Sequence, residues 1–366
     1  MRILMINSVC GIRSTGRICT DQAEILESEG HECKIAYGRE AVPKKYQRYA
    51  IRIGNDFDNK IAGMLTRLTD RHGFSNKRAT KRFLKWADSY NPDMLWLHNI
   101  HGYYINVEML FDWIKSRPQM KVRWTLHDCW AFTGHCSYFT AVGCDKWKTC
   151  CGNCEQKRKY PASLIFDNSH KNFERKKAAF TGVKDMTLIT PSNWLKELVE
   201  QSFLAEYPVE VVNNTIDTSV FKPTPSDFRK RYNLEDKRVI LGVSSVWEKR
   251  KGFDDFLSLS KLIGEDYRIV LVGLNKKQKK CLPENIIGIE RTNSTRELAE
   301  IYTAADVFVN LTYEDNYPTV NLEARACGMP IITYQVGGSP ESAGEEARLV
   351  NVGNVEKIYE EVCKFF

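Results

Sequence analysis

Short runs of apolar residues alternate along this chain with longer segments in which apolar residues recur every three or four positions. The first series begins with the apolar run 2–9, the helix-like segment 18–29 and the run 32–37. A second series begins with the run 238–243 and the helix-like segment 252–263. Further apolar runs lie at 94–97, 122–126, 187–190 and 209–212 in the first series and at 268–272, 286–289, 307–309 and 330–333 in the second. Because repeated strand-helix units form parallel sheets covered on both faces, this pattern predicts an α/β protein with two Rossmann-like halves.

The segment 213–225 separates the two series and contains the turn-forming sequences Asn-Asn, Thr-Pro and Thr-Pro-Ser. A chain of 366 residues is also long enough for two cores of ordinary size. We therefore predict an N-terminal domain over residues 1–212 and a C-terminal domain over residues 213–366.

The net charge is +7, and much of the basic excess lies in the stretches 76–82, 115–123 and 170–177. These stretches are interpreted most simply as solvated helix faces, and the alternative is attraction to anionic lipid or to a phosphate-bearing acceptor. The chain starts with a strand pattern rather than a signal peptide, and no apolar stretch is long enough to span a membrane. We expect a soluble, cytoplasmic protein.

A loop of small residues, 7–17, follows the first strand and leads into a helix. Such a loop lets a diphosphate approach backbone N–H groups, among them that of Gly16, and the positive end of the helix dipole. Gly11 and Gly16 are too far apart for the dinucleotide fingerprint G-x-G-x-x-G, and its third glycine is missing. The loop therefore disfavours a nicotinamide-binding domain.

The segment 313–332, YEDNYPTVNLEARACGMPII, resembles the signature of family 4 glycosyltransferases, in which two acids eight positions apart precede A-x-A-C-G-x-P. By this resemblance Glu323 binds the ribose of a nucleotide-sugar donor. Asp315 takes the position of the family's first glutamate, at the hydroxyl groups of the donor sugar. The neighbouring Asn316 and Tyr317 belong to the same donor-binding segment.

Supporting segments follow the order that the family implies. The segment 244–252, SSVWEKRKG, is similar to the family's G-R-x-x-x-x-K-G, in which Arg and Lys bind the diphosphate. Lys251 matches the family's lysine, whereas the arginine is displaced, so Arg250 is the expected substitute. Gly273 lies in a loop that resembles the family's close approach to the nucleotide.

The resemblance extends to the first half and narrows to the branch that builds bacterial capsule and exopolysaccharide, colanic-acid-type enzymes included. It rests on 98–106, HNIHGYYIN, and on 124–136, WTLHDCWAFTGHC. The catalytic candidates are His127 and Asp128, together with Asp315 of the second half. His101 and Asn99 are the acceptor-binding candidates.

The resemblance implies the GT-B fold, in which two Rossmann-like domains face each other across a cleft, with the acceptor on the first and the donor on the second. It also implies a retaining transfer in which the leaving diphosphate takes the acceptor proton, stabilised by Gly16, Arg250 and Lys251, with no cofactor or metal required. A UDP-sugar is the first expectation for the donor and a GDP-sugar the second. The expected acceptor is a saccharide, lipid-linked, at the inner face of the cytoplasmic membrane.

Twelve cysteines in a protein expected in a reducing compartment argue against a disulfide framework. Four of them, Cys136, Cys144, Cys151 and Cys154, follow the His-Asp segment and include a C-x-x-C pair. They are interpreted either as a structural zinc site that fixes the loop or as a set of buried and free thiols.

Two other functions stay open. One is a sugar-nucleotide epimerase or dehydrogenase of related fold, against which the missing dinucleotide fingerprint counts. The other is a basic, zinc-containing nucleic-acid-binding protein, although the resemblance implies no nucleic-acid partner. Salt-sensitive retention on DNA without sugar-nucleotide binding would favour the latter.

Overall fold

The computed structural model describes residues 1–366, which divide into two compact units, Met1–Asn213 and Asn214–Phe366. This division lies one residue from the boundary predicted from turn-forming residues. Each unit has one parallel β-sheet and its own hydrophobic cores.

The first unit contains a seven-stranded sheet in the order β3-β2-β1-β4-β5-β6-β7. Its strands are β1 (Arg2–Asn7), β2 (Glu32–Tyr37), β3 (Ala50–Arg52), β4 (Met94–Leu97), β5 (Lys121–Thr125), β6 (Met186–Thr190) and β7 (Val209–Val211). Its helices are α1 (Arg13–Ser28), α2 (Asp56–Thr69), α3 (Lys77–Tyr90), α4 (Val107–Lys115), α5 (Ser169–Phe180) and α6 (Asn193–Glu200). Strand β4 is apolar throughout and β1 is apolar from residue 3 to residue 6, because helices cover both faces of the sheet.

The second unit contains a six-stranded sheet in the order β10-β9-β8-β11-β12-β13. Its strands are β8 (Arg238–Val243), β9 (Tyr267–Val272), β10 (Ile286–Ile289), β11 (Val307–Asn310), β12 (Ile331–Tyr334) and β13 (Arg348–Val350). Its helices are α7 (Phe228–Arg231), α8 (Phe253–Leu262), α9 (Lys276–Lys280), α10 (Thr295–Ala304), α11 (Thr319–Ala326), α12 (Ser339–Ala343) and α13 (Val355–Cys363).

The two sheets share one topology. Counted within each unit, the first six strands are arranged 3-2-1-4-5-6, and every strand pair is parallel. The chain reverses its direction across the sheet between β1 and β4 in the first unit and between β8 and β11 in the second. Ligands of such folds bind at the carboxyl ends of the strands beside this reversal, which is where the candidate sites are found.

The stretch between β5 and α5 contains no regular helix or strand beyond three short 3-10 turns, Trp130–Phe132, Thr140–Val142 and Lys146–Lys148. Large aromatic side chains hold its first part in the core, where Trp130 and Phe132 are almost completely buried. None of the helices of the chain combines the length and the apolar character needed to cross a bilayer.

Candidate active site

Two histidines lie side by side where β4 and β5 end. The Nδ1 atom of His98 is 3.1 Å from the Nε2 atom of His127, and the two rings stack at 5.4 Å with an interplanar angle of 16°. A hydrogen bond between two ring nitrogens needs one donor and one acceptor, so at least the accepting ring is uncharged. Burial lowers the pKa of His127 to about 4 and that of His98 well below its usual range. Both histidines are therefore neutral at physiological pH.

Asp128 is paired with His101 across the neighbouring loop. The Nε2 atom of His101 is 3.0 Å from the Oδ2 atom of Asp128, and the N–H of Trp130 donates to Oδ1 at 2.9 Å. Burial alone would raise the pKa of Asp128, but the charge and hydrogen bond of His101 lower it below its usual value. Asp128 is thus a carboxylate held toward His101, a pairing that the adjacency of His127 and Asp128 in the sequence does not reveal.

A small pocket opens at this histidine crevice, the site formed by His98, His101, His127 and Asp128. The pocket is lined by His98, Asn99, Ile100, His101, Trp124, Leu126, His127, Asp128, Trp130 and Ala131. Asn99 is half-buried in its wall, its N–H donating to Asn7 Oδ1 at 3.2 Å and its carbonyl accepting from Tyr104 at 2.8 Å. The structure therefore brings His101, Asn99, His127 and Asp128 together.

Lys176 supports the floor of the histidine crevice, and sequence patterns alone did not single it out. This almost completely buried side chain extends from α5 and donates to the carbonyl oxygens of Trp130 at 2.7 Å and Thr133 at 2.9 Å. Its Nζ atom also lies 3.5 Å from the centre of the Trp130 ring. Burial lowers the pKa of Lys176 to about 7. Lys176 fixes the backbone that follows Asp128.

Gly16 lies in the first turn of α1 rather than in the loop before it. A Cβ atom on Gly16 would be 3.0 Å from Val9 Cγ2 and 3.3 Å from the N atom of Gly11. The Gly11 N–H donates to the Gly16 carbonyl at 3.1 Å. Tight packing of helix on loop is therefore one sufficient reason for a glycine here, and the donor role of Gly16 stays a prediction.

In the second unit, Asp315 and Lys251 form a partly buried ion pair. Lys251 comes from the turn after β8 and Asp315 from the loop after β11, on the two sides of the topological reversal. The N–H of Asn316, itself buried, donates to Asp315 Oδ1 at 2.9 Å. Burial would raise the pKa of Asp315, but the charges of Lys251 and Arg250 lower it below its usual range. Asp315 is a carboxylate at physiological pH.

Arg250 holds the same loop through its backbone and its side chain. Its guanidinium donates to the carbonyl of Glu314 at 2.7 Å, while its own carbonyl accepts from the N–H of Tyr313 at 2.8 Å. Only about 31% of its side chain is exposed, and it also forms an ion pair with Glu248 at 3.3 Å. Arg250 therefore positions the Asp315 loop, a role beyond the diphosphate contact predicted for it.

Gly273 ends β9 in a conformation that only glycine accommodates. Its φ angle is +98°, and a Cβ atom there would lie 1.6 Å from the carbonyl oxygen of Ser244. The loops after β8 and β9 thus touch through bare backbone. The approach seen here is to the backbone of Ser244, and the approach of Gly273 to the nucleotide stays a prediction.

Glu323 lies inside α11 and is buried. The helix begins directly after Pro318. The hydroxyl of Tyr302, from α10, donates to Glu323 Oε2 at 3.1 Å. Tyr302 was not predicted, because only the packing of two helices brings it to Glu323. The adjacent Tyr317 is buried, and its carbonyl accepts from Asn214 at 3.2 Å.

The helix that carries Glu323 is anchored by the fully buried amide of Asn321. Asn310, at the end of β11, donates to Asn321 Oδ1 at 2.9 Å, and Asn321 donates to Ser342 Oγ at 2.9 Å. A buried amide satisfied in this way fixes the rotation of the helix about its axis. No sequence motif predicted these contacts, because they join residues of three separate elements.

The four cysteines predicted as zinc ligands lie in one region of the irregular stretch. The thiols of Cys136 and Cys154 share a hydrogen bond. The Gly134 N–H donates to the sulfur of Cys151 at 3.2 Å. The soft sulfur donors suit zinc.

A second group of metal-binding side chains lies beside these cysteines. The ligand atoms of Cys150, His170 and Glu174 all lie within 4.8 Å of one another, the thiol of Cys150 being 3.0 Å from His170 Nδ1. The spacing of the cysteines did not predict this group, because His170 and Glu174 belong to α5. Cys136, Cys144, Cys151 and Cys154 do not form a group of this kind in the structure, and a zinc ion bound by them stays a prediction.

Two Rossmann-like α/β units with polar side chains at both topological reversals define the GT-B class of fold. This confirms the fold class predicted from the sequence. Residues 237–366 match the family model described as "Glycosyl transferases group 1". This match covers nearly all of the second unit, including Lys251, Asp315 and Glu323.

The chain is also similar to a curated protein of Escherichia coli K12, "Putative colanic acid biosynthesis glycosyl transferase WcaC". The two are 24% identical over 309 residues, which is 80% of this chain and 74% of that protein. The chain spans only 44% and 49% of the lengths of two further curated relatives.

Among solved structures, the chain resembles sucrose-phosphate synthase from Thermosynechococcus elongatus. The TM-score is 0.69 at 16% identity, covering 99% of this chain and 89% of that one. It also resembles HepE of Anabaena in complex with UDP and glucose. There the TM-score is 0.64 at 12% identity, covering 100% of this chain and 89% of that one. These similarities show the fold.

Proposed function

We propose that this protein is a retaining glycosyltransferase of polysaccharide biosynthesis. It transfers a sugar from a nucleotide diphosphate sugar to a saccharide acceptor carried on a lipid. The observation that carries this proposal is the Lys251–Asp315 ion pair, with Glu323 buried in the helix that follows. All three residues lie within the part of the chain that matches the group 1 family model.

The second unit holds the donor. Lys251, with Arg250 beside it, neutralises the charge that grows on the diphosphate as the bond to the sugar breaks. Electrostatic stabilisation of this kind is commonly the largest contribution to catalysis. Asp315 accepts hydrogen bonds from the sugar hydroxyls, and Glu323 accepts them from the ribose. Asn316, Tyr317 and Gly273 shape the same donor pocket.

The first unit supplies the acceptor side. Asn99 and His101 bind the acceptor sugar, and Asp128 keeps the His101 ring oriented through their 3.0 Å contact. The neutral His127 faces the donor sugar. In the reaction the bond from the anomeric carbon to the diphosphate oxygen breaks, and a bond to the acceptor oxygen forms on the same face. The released diphosphate takes the acceptor proton.

UDP is the first choice of nucleotide, and its support is that the similar HepE structure holds UDP and glucose. A ligand that binds only the folded protein raises its melting temperature, so thermal shifts with UDP, GDP and their sugars rank the nucleotides. We expect UDP to give the largest shift. The anomeric coupling constant of the product, measured by proton NMR, then tests retention. Conversion of the free UDP-sugar into an isomer, without transfer, would favour the epimerase.

A structural zinc ion is proposed for the cysteines of the irregular stretch, with Cys136, Cys144, Cys151 and Cys154 as ligands. Its role would be to fix the backbone that follows the histidine crevice. Elemental analysis of protein purified without added metal should show about one zinc per chain. Cys154→Ser should lose it and the control Cys281→Ser should keep it. Loss of zinc in His170→Ala but not in Cys154→Ser would place the ion at Cys150, His170 and Glu174 instead. Folded, active protein without zinc would contradict both sites.

A further inference from the structure

Helix α2 packs on the first unit through its small side chains. Ala62 and Thr66 are its buried residues, and Gly63 approaches Tyr103 from the same helix. Helices on a protein surface normally bury their large apolar residues and expose the polar ones. In α2 this arrangement is reversed.

The large apolar side chains of α2 point to solvent. Phe57 is 70% exposed and Met64 is 56% exposed, and Ile61, Leu65 and Leu68 are exposed with them. With 3.6 residues per turn, these five positions fall on one side of the helix, opposite Ala62 and Thr66. The exposure is therefore a continuous stripe rather than a scatter of single residues.

A second exposed apolar segment, 164–166, extends this stripe. The N–H of Leu164 donates to the carbonyl of Arg67 at 2.7 Å, and that of Phe166 donates to the carbonyl of Leu68 at 3.4 Å. Leu164 and Phe166 are both more than half exposed. We call the α2 stripe and the segment 164–166 together the apolar ridge. Exposed apolar surfaces of this extent mark sites of contact with a partner or a membrane.

Basic side chains border the apolar ridge, and the acidic Asp167 directly follows its segment 164–166. Lys60 and Arg67 lie along one flank of α2, and Arg71 follows its end. Lys157 donates to the carbonyl of Ile165 at 3.3 Å, and Arg158 and Lys159 are its neighbours. The acidic residues of α2, Asp56 and Asp58, are confined to its first turn, and Asp56 is paired with Arg52. An apolar stripe bordered by cations is complementary to an anionic bilayer surface.

We propose that the apolar ridge inserts into the boundary between headgroups and acyl chains of an anionic bilayer. This rests on the proposed function, since it brings the enzyme to an acceptor carried on a lipid. It also moves the attachment surface away from the basic stretch 76–82. Helix α3, which contains that stretch, buries its apolar residues and exposes Lys77, Arg78, Lys81 and Arg82 as a solvated face.

The test is co-sedimentation of the full chain with phosphatidylcholine vesicles, with and without phosphatidylglycerol, at low and high salt. The ridge variant combines Phe57→Ser, Met64→Ser and Phe166→Ser. The matched control changes Lys77, Arg78, Lys81 and Arg82 to Ser. We expect the ridge variant to lose at least about 10-fold in partition to anionic vesicles, and the control to lose less. The parent should retain part of its binding at high salt, because apolar insertion is not screened.

Equal binding of the parent and the ridge variant would overturn the proposal. A parent that dimerises through the ridge, binds no vesicles, and becomes monomeric in the ridge variant would identify a second copy as the occupant instead. Calorimetry with UDP separates the two ideas: a parent protein that binds UDP but no vesicles refutes the attachment alone.

The single variant Phe57→Trp tests insertion even if the ridge variant does not fold. The fluorescence of Phe57→Trp should be quenched by vesicles of brominated lipid, unlike that of the control Val246→Trp at an exposed position of the second unit. Fluorescence of Phe57→Trp that brominated lipid leaves unchanged would refute insertion.

Discussion

The histidine crevice of the first unit and the Lys251–Asp315 pair of the second occupy the same place in the same topology, yet they are held in different ways. In the crevice, burial keeps His98 and His127 neutral. In the second unit, opposite charges are paired, and the positive charges of Lys251 and Arg250 keep Asp315 ionised. The crevice therefore depends on pH through its histidines, whereas the second site depends on keeping each charge paired.

The largest effect should come from breaking the charge pair. Asp315→Asn keeps the size of the side chain but leaves Lys251 without its counter-charge and the donor sugar without a carboxylate. We expect the kcat/KM of sugar transfer to fall by about 10²–10³-fold, as for loss of one preorganised electrostatic group. Steady-state kinetics with the preferred donor measure it. The exposed neighbour Lys249, changed to Met, is the control, and equal losses in both variants would remove Asp315 from the reaction.

The acid sensitivity of the crevice comes next. The pKa of His127 is about 4 in the folded protein against 6.5 for the free side chain, so the unfolded chain binds more protons between these values. The contribution of His127 to the free energy of unfolding should therefore be complete above pH 6.5. It should decline as the pH falls toward 4, by up to about 3 kcal/mol.

Urea denaturation across this pH range measures the decline, and His127→Gln should reduce its slope, while the buried His98, whose pKa is also lowered, continues to contribute a loss of the same sign. Asp128 and His101 face the same ring, and the lowered pKa of Asp128 adds a loss with the same sign at lower pH. A decline of equal slope in His127→Gln would show that other groups cause it.

The smallest effect concerns Glu323. Glu323→Gln should weaken nucleotide binding by about 1.5–3 kcal/mol, the usual cost of losing a hydrogen bond to a charged group. Tyr302→Phe removes only the neutral donor to Glu323 and should cost less. Titration calorimetry with UDP measures both changes. Unchanged affinity in Glu323→Gln would mean that the ribose is bound elsewhere.

The central strands could be predicted from the sequence because helices bury them on both sides, which leaves continuous apolar runs. Strands β3 and β13 escaped prediction: each has only three residues, and those of β3 are half-buried or exposed. Two apolar residues beside an arginine, as in β3 and β13, do not stand out from a loop, whereas the alternating valines of the equally short β7 do.

The donor site could be predicted because Asp315 and Glu323 lie within one contiguous segment. The contacts that hold these residues come from elsewhere in the chain: Tyr302 from α10, Asn310 from β11 and Ser342 from α12. In the first unit, His127 and Asp128 were predicted together as catalytic candidates, and the fold pairs Asp128 with His101. Neighbours in sequence identify candidates, and only packing decides which of them touch.

Lys176 has a consequence for covalent labelling. An amine whose pKa is about 7 is largely unprotonated in mildly alkaline buffer, and an unprotonated amine is the form that acylating reagents attack. The same burial that lowers the pKa keeps reagents away, because the side chain is only 1% exposed beneath Trp130. Acylation of Lys176 must wait until the loop above it opens. The rate at which Lys176 is modified, followed by mass spectrometry, therefore measures the rate of local opening of the loop that follows Asp128.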